Sequence, residues 1–429
     1  MTQPIETPDG HYGHPDLIHY RPQLKPEVIR LTEHVFCIFG LSLANCQVIE
    51  TSSSLLVVDS GHSDTEGQQL RKLIREQISP KPIAAVLYTH SHYIRGTTAL
   101  LDGDSARIIA HPRVDLAVQR RAQHGGARVR LETGATLPQT GPNAVIAPAP
   151  AAKGPNGYRA ATETVLPGDQ LIIDGVTIDI LPGCFDTDDG LAFGFPDFSA
   201  VAHNLVVSQM PNFGSLAGGR FRDPLPWLVA VDHLLQRPPE HLLPCHGRPL
   251  SGREKILHRL QVNHQAVDHL YRAVMNGLSQ GATIPDLIRD VHLPEALRED
   301  PDLRQLYGTV PHLVAAIAHG ETGFWSGEIR DLTPLHPDQE ATALAAALGG
   351  PQQILQHAQT AAHTCLTDGD AHHLPWAMHL ADVAVRLKAD GAHDLRAQLL
   401  EFAGYRSSAW TERNTLLSLA HEDRQYSEE

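Results

Sequence analysis

The chain has 429 residues, enough for two or three domains with full-sized cores. It carries 34 Lys and Arg against 49 Asp and Glu, a formal charge of −15, with 42% hydrophobic and 19% charged residues. That balance excludes a disordered chain and disfavours nucleic-acid binding, which leaves a small molecule as the expected partner.

The longest apolar runs, such as residues 83–88, fall far short of the roughly 20 residues that span a bilayer. The opening segment MTQPIETPDGHYGHPDL has no basic-then-apolar signal pattern, so the expectation is a soluble cytoplasmic protein with no membrane insertion. Cys37, Cys46, Cys184, Cys245 and Cys365 are odd in number and have no CxxC spacing; they read as reduced thiols. The 27 histidines are too many for any single site, so spacing has to decide which of them matter.

In chain order, short β-rich runs at 34–39, 47–50 and 55–59 predict consecutive strands. Residues 65–77 place Leu70, Leu73 and Ile74 at helical spacing, and 84–88 has the length of a buried strand. The order strand, helix, strand predicts an α/β layer with His90 just past a strand's carboxyl end, where functional groups often sit. Residues 137–157 are rich in Pro, Ala and Gly and predict an irregular excursion, either a lid over the site or a tolerated insertion. Strand patterns return at 170–173 and 176–181, and 243–247 again sets a histidine after an apolar run. Beyond residue 253 the patterns are helical: 256–275, 284–291, 352–367, 376–387 and 394–403. The chain thus divides into an N-terminal arm (1–27), an α/β domain (28–253) and an all-α domain (254–429).

The most informative local feature is Thr89-His90-Ser91-His92. If the strand persists past Tyr88, side chains at i and i+2 share a side, so His90 and His92 can bind one metal ion. In a chain this rich in histidine the pair also reads as two solvated loop residues.

The ordered segments EHVFCIFGLSLANCQVIET, LLVVDSGHS, KPIAAVLYTHSH, IIAHP, GRFRDPLPWL and LLPCHGRPLSGREKI resemble the metallo-β-lactamase fold of the linear and secondary alkylsulfatases. Downstream, LPEALREDPDLRQLYGTV, GFWSGEIRDLTP and SSAWTERN resemble that family's helical dimerisation domain. The resemblance implies an αββα sandwich followed by an all-α domain, and a homodimer through the latter. By position it implies His90, His92, Asp186 and His246 as metal ligands. Asp59 matches an early aspartate that orients a ligand by hydrogen bonds or caps a turn.

The departures carry as much as the matches. The family continues its histidine pair into an aspartate and a second histidine, where this chain has Ile94 and Arg95. The bridging carboxylate position holds His203, and a neutral imidazole has one free lone pair, so it bridges two metals poorly. These changes predict one divalent transition metal per chain, held by His90, His92 and Asp186 with His203 or His246 completing the shell. Zinc, iron and manganese all accept such a set. Ala217 stands near the place of the family's sulfate-holding arginine, leaving Arg95, Arg220 and Arg222 as substitutes or as plain structural arginines. Tyr93, beside His92, reads as an acid group or as an aromatic packed on the ligand loop. The expected function is metal-assisted hydrolysis of a small-molecule ester, with simple alkyl sulfates poor substrates. The alternatives are a mononuclear iron or manganese enzyme doing oxidative, cleavage or rearrangement chemistry, and an inactive binding protein.

Overall fold

The structure is a computed structural model that describes residues 2–122, 126–147, 153–185, 187–218 and 220–428. The chain divides into two compact units, one of residues 22–125 and 148–323, the other of 1–21, 126–147 and 324–429.

The first unit is built on two sheets. Strands Glu27–Arg30, Val35–Phe39, Cys46–Glu50, Leu55–Val58, Ile83–Leu87, Arg107–Ala110 and Glu163–Thr164 lie side by side in that order. The second sheet runs Gln170–Ile173, Val176–Pro182, Leu191–Phe195, Ala200–His203, His241–Pro244 and Leu250–Ser251. The unbroken apolar runs at Leu55–Val58 and Ile83–Leu87 follow from burial on both faces. Leu56, Val58 and Leu87 face the second sheet, packing with Ile178, Phe193 and Ala202. Leu55, Val57 and Val86 face outward, under Leu70 and Ile74 of helix Asp64–Gln77. The second sheet's outer face is covered by helices Pro224–Gln236, Arg253–Ser279 and Val310–Thr322, with Trp227, Leu260 and Ile317 in one core. The arrangement is the expected αββα sandwich.

The second unit is helical, centred on Pro351–Asp368, Leu374–Arg386, Ala392–Arg406 and Trp410–Glu428. Its apolar stripe is Ile354, Leu355, Ala358, Leu380, Ala384 and Leu399. Arg413, fully buried, donates to the carbonyls of Tyr12, Pro142 and Ala144, which fixes the N-terminal residues and part of the 137–157 excursion onto this unit. The far end of that excursion belongs to the sandwich, where Gly157 N donates to the Arg95 carbonyl at 2.7 Å. Residues 148–152, between them, lie outside the described residues.

The division by packing therefore falls elsewhere than the change of pattern at residue 253. Helices between 253 and 322 pack with the sandwich because their apolar faces cover its second sheet, and residues 1–21 pack with the helical unit.

Candidate metal centre

Strands Leu55–Val58 and Ile83–Leu87 pair in parallel, so their carboxyl ends open at the same edge of the sheet. Two loops leave from there. The amides of Ser60 and Gly61 donate to the Tyr93 carbonyl at 2.8 and 2.9 Å, and Arg95 N donates to the Gly61 carbonyl at 2.9 Å. Gly96 permits this approach, since a Cβ there would stand 2.1 Å from the Ser60 carbonyl oxygen.

Asp59 heads the first loop with φ of 60°, a left-handed conformation that Asp tolerates better than most residues. Its Oδ1 accepts from Thr89 N at 2.8 Å and its Oδ2 from Thr89 Oγ1 at 2.6 Å. The same hydroxyl stands 2.8 Å from His90 Nδ1. Burial pushes the Asp59 carboxyl up to about 6, against the opposing pull of His90 and the Thr89 bonds, so it is ionised at neutral pH. A carboxylate only accepts, so the single Thr89 hydroxyl proton goes to Asp59 and His90 Nδ1–H donates to Thr89 Oγ1. With Nδ1 committed to Thr89, Nε2 is the nitrogen of fully buried His90 that a metal would take. Asp59 thus orients His90 through Thr89, an intermediary that sequence reasoning did not single out.

The strand ends at Leu87, and residues 89–92 form a bend and turn. The pairing of His90 with His92 is consequently made by the turn rather than by strand alternation. Their ring centroids are 4.7 Å apart. Tyr93 lies among histidines, its ring edge-on to His62, His90, His92 and His246 at 4.7, 5.2, 5.8 and 5.2 Å. His246 Nδ1 is 2.9 Å from the Leu43 carbonyl, to which only an N–H can bond. With Nδ1 on the Leu43 carbonyl, Nε2 is the His246 nitrogen that faces the Tyr93 hydroxyl, 3.3 Å away. The loop bearing His246 is held by Asn45 Nδ2 on the Pro244 and Gly247 carbonyls at 2.8 and 2.7 Å, and by Gln47 Nε2 on Pro244 at 2.9 Å. These tethers lie about 200 residues away in sequence, out of reach of any local pattern.

His203 ends its strand fully buried, and neither ring nitrogen makes a well-formed hydrogen bond to a described residue. Burial pushes it down to about 3, with His246 adding to the effect, so it is neutral. Asp186 lies outside the described residues. Three residues on, Asp189 is buried, accepts from Ser91 Oγ at 3.4 Å, and keeps Oδ2 without a partner among the described residues. The acidic run Asp186-Thr187-Asp188-Asp189 was the available signal for it. Asp59, His90 and the buried Cys245 offer ligand atoms that all lie within 4.8 Å of one another. Cys245 is a thiol that the reading for CxxC spacing passed over.

The arginines separate. Arg220 is largely exposed and bonds Asp188 at 3.1 Å, a surface ion pair. Arg222 donates to the Asn212 carbonyl at 2.8 Å and lies 5.6 Å from the Phe185 ring centre, holding the loop before helix Pro224–Gln236. Arg95 sits on the Tyr93 loop and Ile94 is fully buried in the apolar core.

These groups suit a divalent transition metal. The Thr89 relay leaves Nε2 of His90 for a metal, a second histidine stands beside it, and a third ends a strand with both ring nitrogens buried and without a well-formed hydrogen bond to a described residue. Imidazole with carboxylate is a donor set for zinc, iron and manganese alike.

Comparisons with known proteins agree with the geometry. Residues 40–93 match the metallo-β-lactamase superfamily and residues 283–426 the alkyl sulfatase dimerisation family. A linear primary-alkylsulfatase of Pseudomonas sp. is 30% identical over 397 residues, 87% of this chain and 73% of that protein. The chain belongs to the alkylsulfatase family. This family comprises hydrolytic enzymes of the metallo-β-lactamase superfamily, whose fold implies divalent-metal binding. An alkyl/aryl-sulfatase of Saccharomyces cerevisiae is 24% identical over 93% of this chain and 64% of its own length. The fold of a stereoselective inverting sec-alkylsulfatase from Pseudomonas sp. matches with a TM-score of 0.88 at 20% identity, over 99% of this chain and 72% of that one. Among alkylsulfatases, then, this member carries Ile94, Arg95, His203 and Ala217 where the resemblance calls for two metal ligands, a bridging carboxylate and a sulfate-binding arginine.

Proposed function

We propose that the chain hydrolyses a small-molecule ester with one divalent transition metal per protomer, and that simple alkyl sulfates are poor substrates. The observation that carries this reading is the Asp59–Thr89–His90 relay, which keeps a ligand-type histidine poised beside His92 although the partners for a second metal are gone.

His90, His92 and Asp186 would hold the metal. His203, whose ring nitrogens have no well-formed hydrogen bond to a described residue, or His246, whose Nε2 faces the Tyr93 hydroxyl, would complete the shell. When bound, the metal supplies a Lewis acid for the scissile group and a water of lowered pKa. The chain's own residues do the rest. Asp59 and Thr89 fix the His90 tautomer, Tyr93 lies against His90, His92 and His246, and the buried packing of Ile94 anchors the loop that carries Tyr93. The helical unit supports a homodimer: Phe324, Trp325, Ile329, Leu332 and Leu335 are all exposed within the matched dimerisation region.

Purification without added metal, elemental analysis, and then assay against carboxylic, phosphate and sulfate esters tests the proposal. Turnover of an ester that is lost on chelation supports it. Stoichiometric iron with no ester hydrolysed would overturn it in favour of redox chemistry.

A further inference from the structure

Next to the histidine pair stands a second arrangement that neither the sequence reading nor the family match assigns. Glu66, in the first turn of helix Asp64–Gln77, is only 2% exposed. Its Oε1 accepts from Ser42 Oγ at 2.6 Å, and its Oε2 lies 3.2 Å from both the backbone N and the ring Nδ1 of His62. Burial raises this carboxyl, but the bonds from His62 and Ser42 outweigh it and hold Glu66 below the usual carboxylate range. A buried carboxylate on Nδ1 orients the ring and leaves Nε2 as the working nitrogen of His62. The His62 side chain is 18% exposed, and its ring lies edge-on to Tyr93, 4.7 Å between centroids.

The position follows from the fold. His62 is on the loop leaving Leu55–Val58, and that loop is bonded through Ser60 and Gly61 to the Tyr93 carbonyl, at the mouth of the turn that carries His90 and His92. A capping role alone would explain the Glu66 bond to His62 N. It does not explain why the carboxylate also takes the ring nitrogen, or why the ring is turned onto Tyr93.

We propose that His62, oriented by Glu66, is the catalytic acid that protonates the leaving oxygen of the ester. This rests on the hydrolase reading above. In the step, the bond from the attacking water oxygen to the ester's central atom forms and the bond from that atom to the leaving oxygen breaks. The leaving oxygen takes the proton from His62 Nε2, and the proton given up by the attacking water restores the imidazolium through solvent. Glu66 is a positioning residue: its carboxylate bonds His62 and Ser42 and acts through the ring. Tyr93 is the lesser candidate for the acid, because its hydroxyl is engaged with His246 Nε2 at 3.3 Å.

The test compares two esters of the same acid, one with an unactivated alkoxide leaving group and one with 4-nitrophenolate, which leaves without protonation. General acid catalysis is worth about 10²- to 10⁴-fold. His62→Gln should lower kcat by that factor for the alkyl ester and by less than tenfold for the nitrophenyl ester, with metal content unchanged. Glu66→Gln should show the same leaving-group dependence in weaker form. Equal losses on both esters, or loss of the metal, would assign His62 a structural or ligand role and overturn the proposal. Wild-type kcat on the alkyl ester in His62→Gln would overturn it while leaving the hydrolase reading intact. A wild type that turns over neither ester would remove the hydrolase reading and the acid role with it.

Discussion

The Asp59 carboxylate is fully engaged by Thr89, one oxygen on the backbone amide at 2.8 Å and the other on the hydroxyl at 2.6 Å. Among the described residues, the hydrogen-bonded link from Asp59 to His90 runs through that hydroxyl. Thr89→Val removes the link while keeping the shape, and supporting groups of this kind typically change metal affinity about 10- to 100-fold. Thr89→Val should weaken metal binding by that factor, and Thr89→Ser, which keeps the hydroxyl, should weaken it much less. Competition with a chelating dye measures both. Equal affinities for the two variants would mean that Thr89 does not transmit the orientation.

Metal content gives the second prediction. One metal per chain is expected, lost in His90→Ala or His92→Ala. His246→Ala should reduce affinity less, because the Tyr93 hydroxyl stands 3.3 Å from His246 Nε2 and competes with a metal for that nitrogen. Elemental analysis finding two fully occupied metals would contradict the expectation built on Ile94, Arg95 and His203.

Much of this site was legible in sequence because its chemistry-bearing residues sit in short motifs at strand ends. His90 and His92 follow an apolar run whose burial on both faces made it recognisable, and Asp59 closes another. What was not legible depends on contacts between distant segments. The Thr89 hydroxyl gains its role only by meeting Asp59, thirty residues away in sequence, and Glu66 its role only where Ser42 and His62 converge on it. The helices at 253–322 have the same amphipathic pattern as those after 324. Only the second sheet, which the former cover, tells them apart.

Acid sensitivity of the metal-free protein is the third prediction. Burial holds His203 at about 3 in the fold against the ordinary value of 6.5. Between those values the unfolded chain binds about one proton more than the folded one, so this group's contribution to stability is lost as pH falls from about 6.5 toward 3. Thermal unfolding of the metal-free protein at a series of pH values from 7.5 to about 4.5 should show that fall. His203→Gln should flatten the curve over the same window. An unchanged slope would mean that His203 does not stay neutral in the fold.

The exposed apolar segment gives the fourth. Phe324 and Ile329 are each 78% exposed, an arrangement expected where a second copy covers them. Light scattering at micromolar concentration should return twice the 46.8 kDa chain mass, and a Phe324→Asp, Ile329→Asp double variant should shift it toward the monomer. A monomeric wild type would rule the dimer out.

The last prediction concerns sulfate. A sulfate ester carries a delocalised anion that the site must hold before attack, and a guanidinium does so with two hydrogen bonds and a full charge. Ala217 has neither. Arg220 is bound to Asp188 at the surface and Arg222 is spent on the Asn212 carbonyl, so neither replaces it as placed. A lost charge-assisted hydrogen bond costs about 1.5–3 kcal/mol, roughly ten- to a hundredfold in binding or rate. Medium-chain alkyl sulfates should accordingly be turned over poorly by the metal-replete protein, and Ala217→Arg should raise kcat/KM toward them by about that factor. Carboxylic esters should show no such gain, since they present no anionic oxygen for the new guanidinium to hold. Efficient hydrolysis of a medium-chain alkyl sulfate by the wild type would show that this site holds sulfate without an arginine at position 217. That result would return the chain to the ordinary chemistry of its relatives.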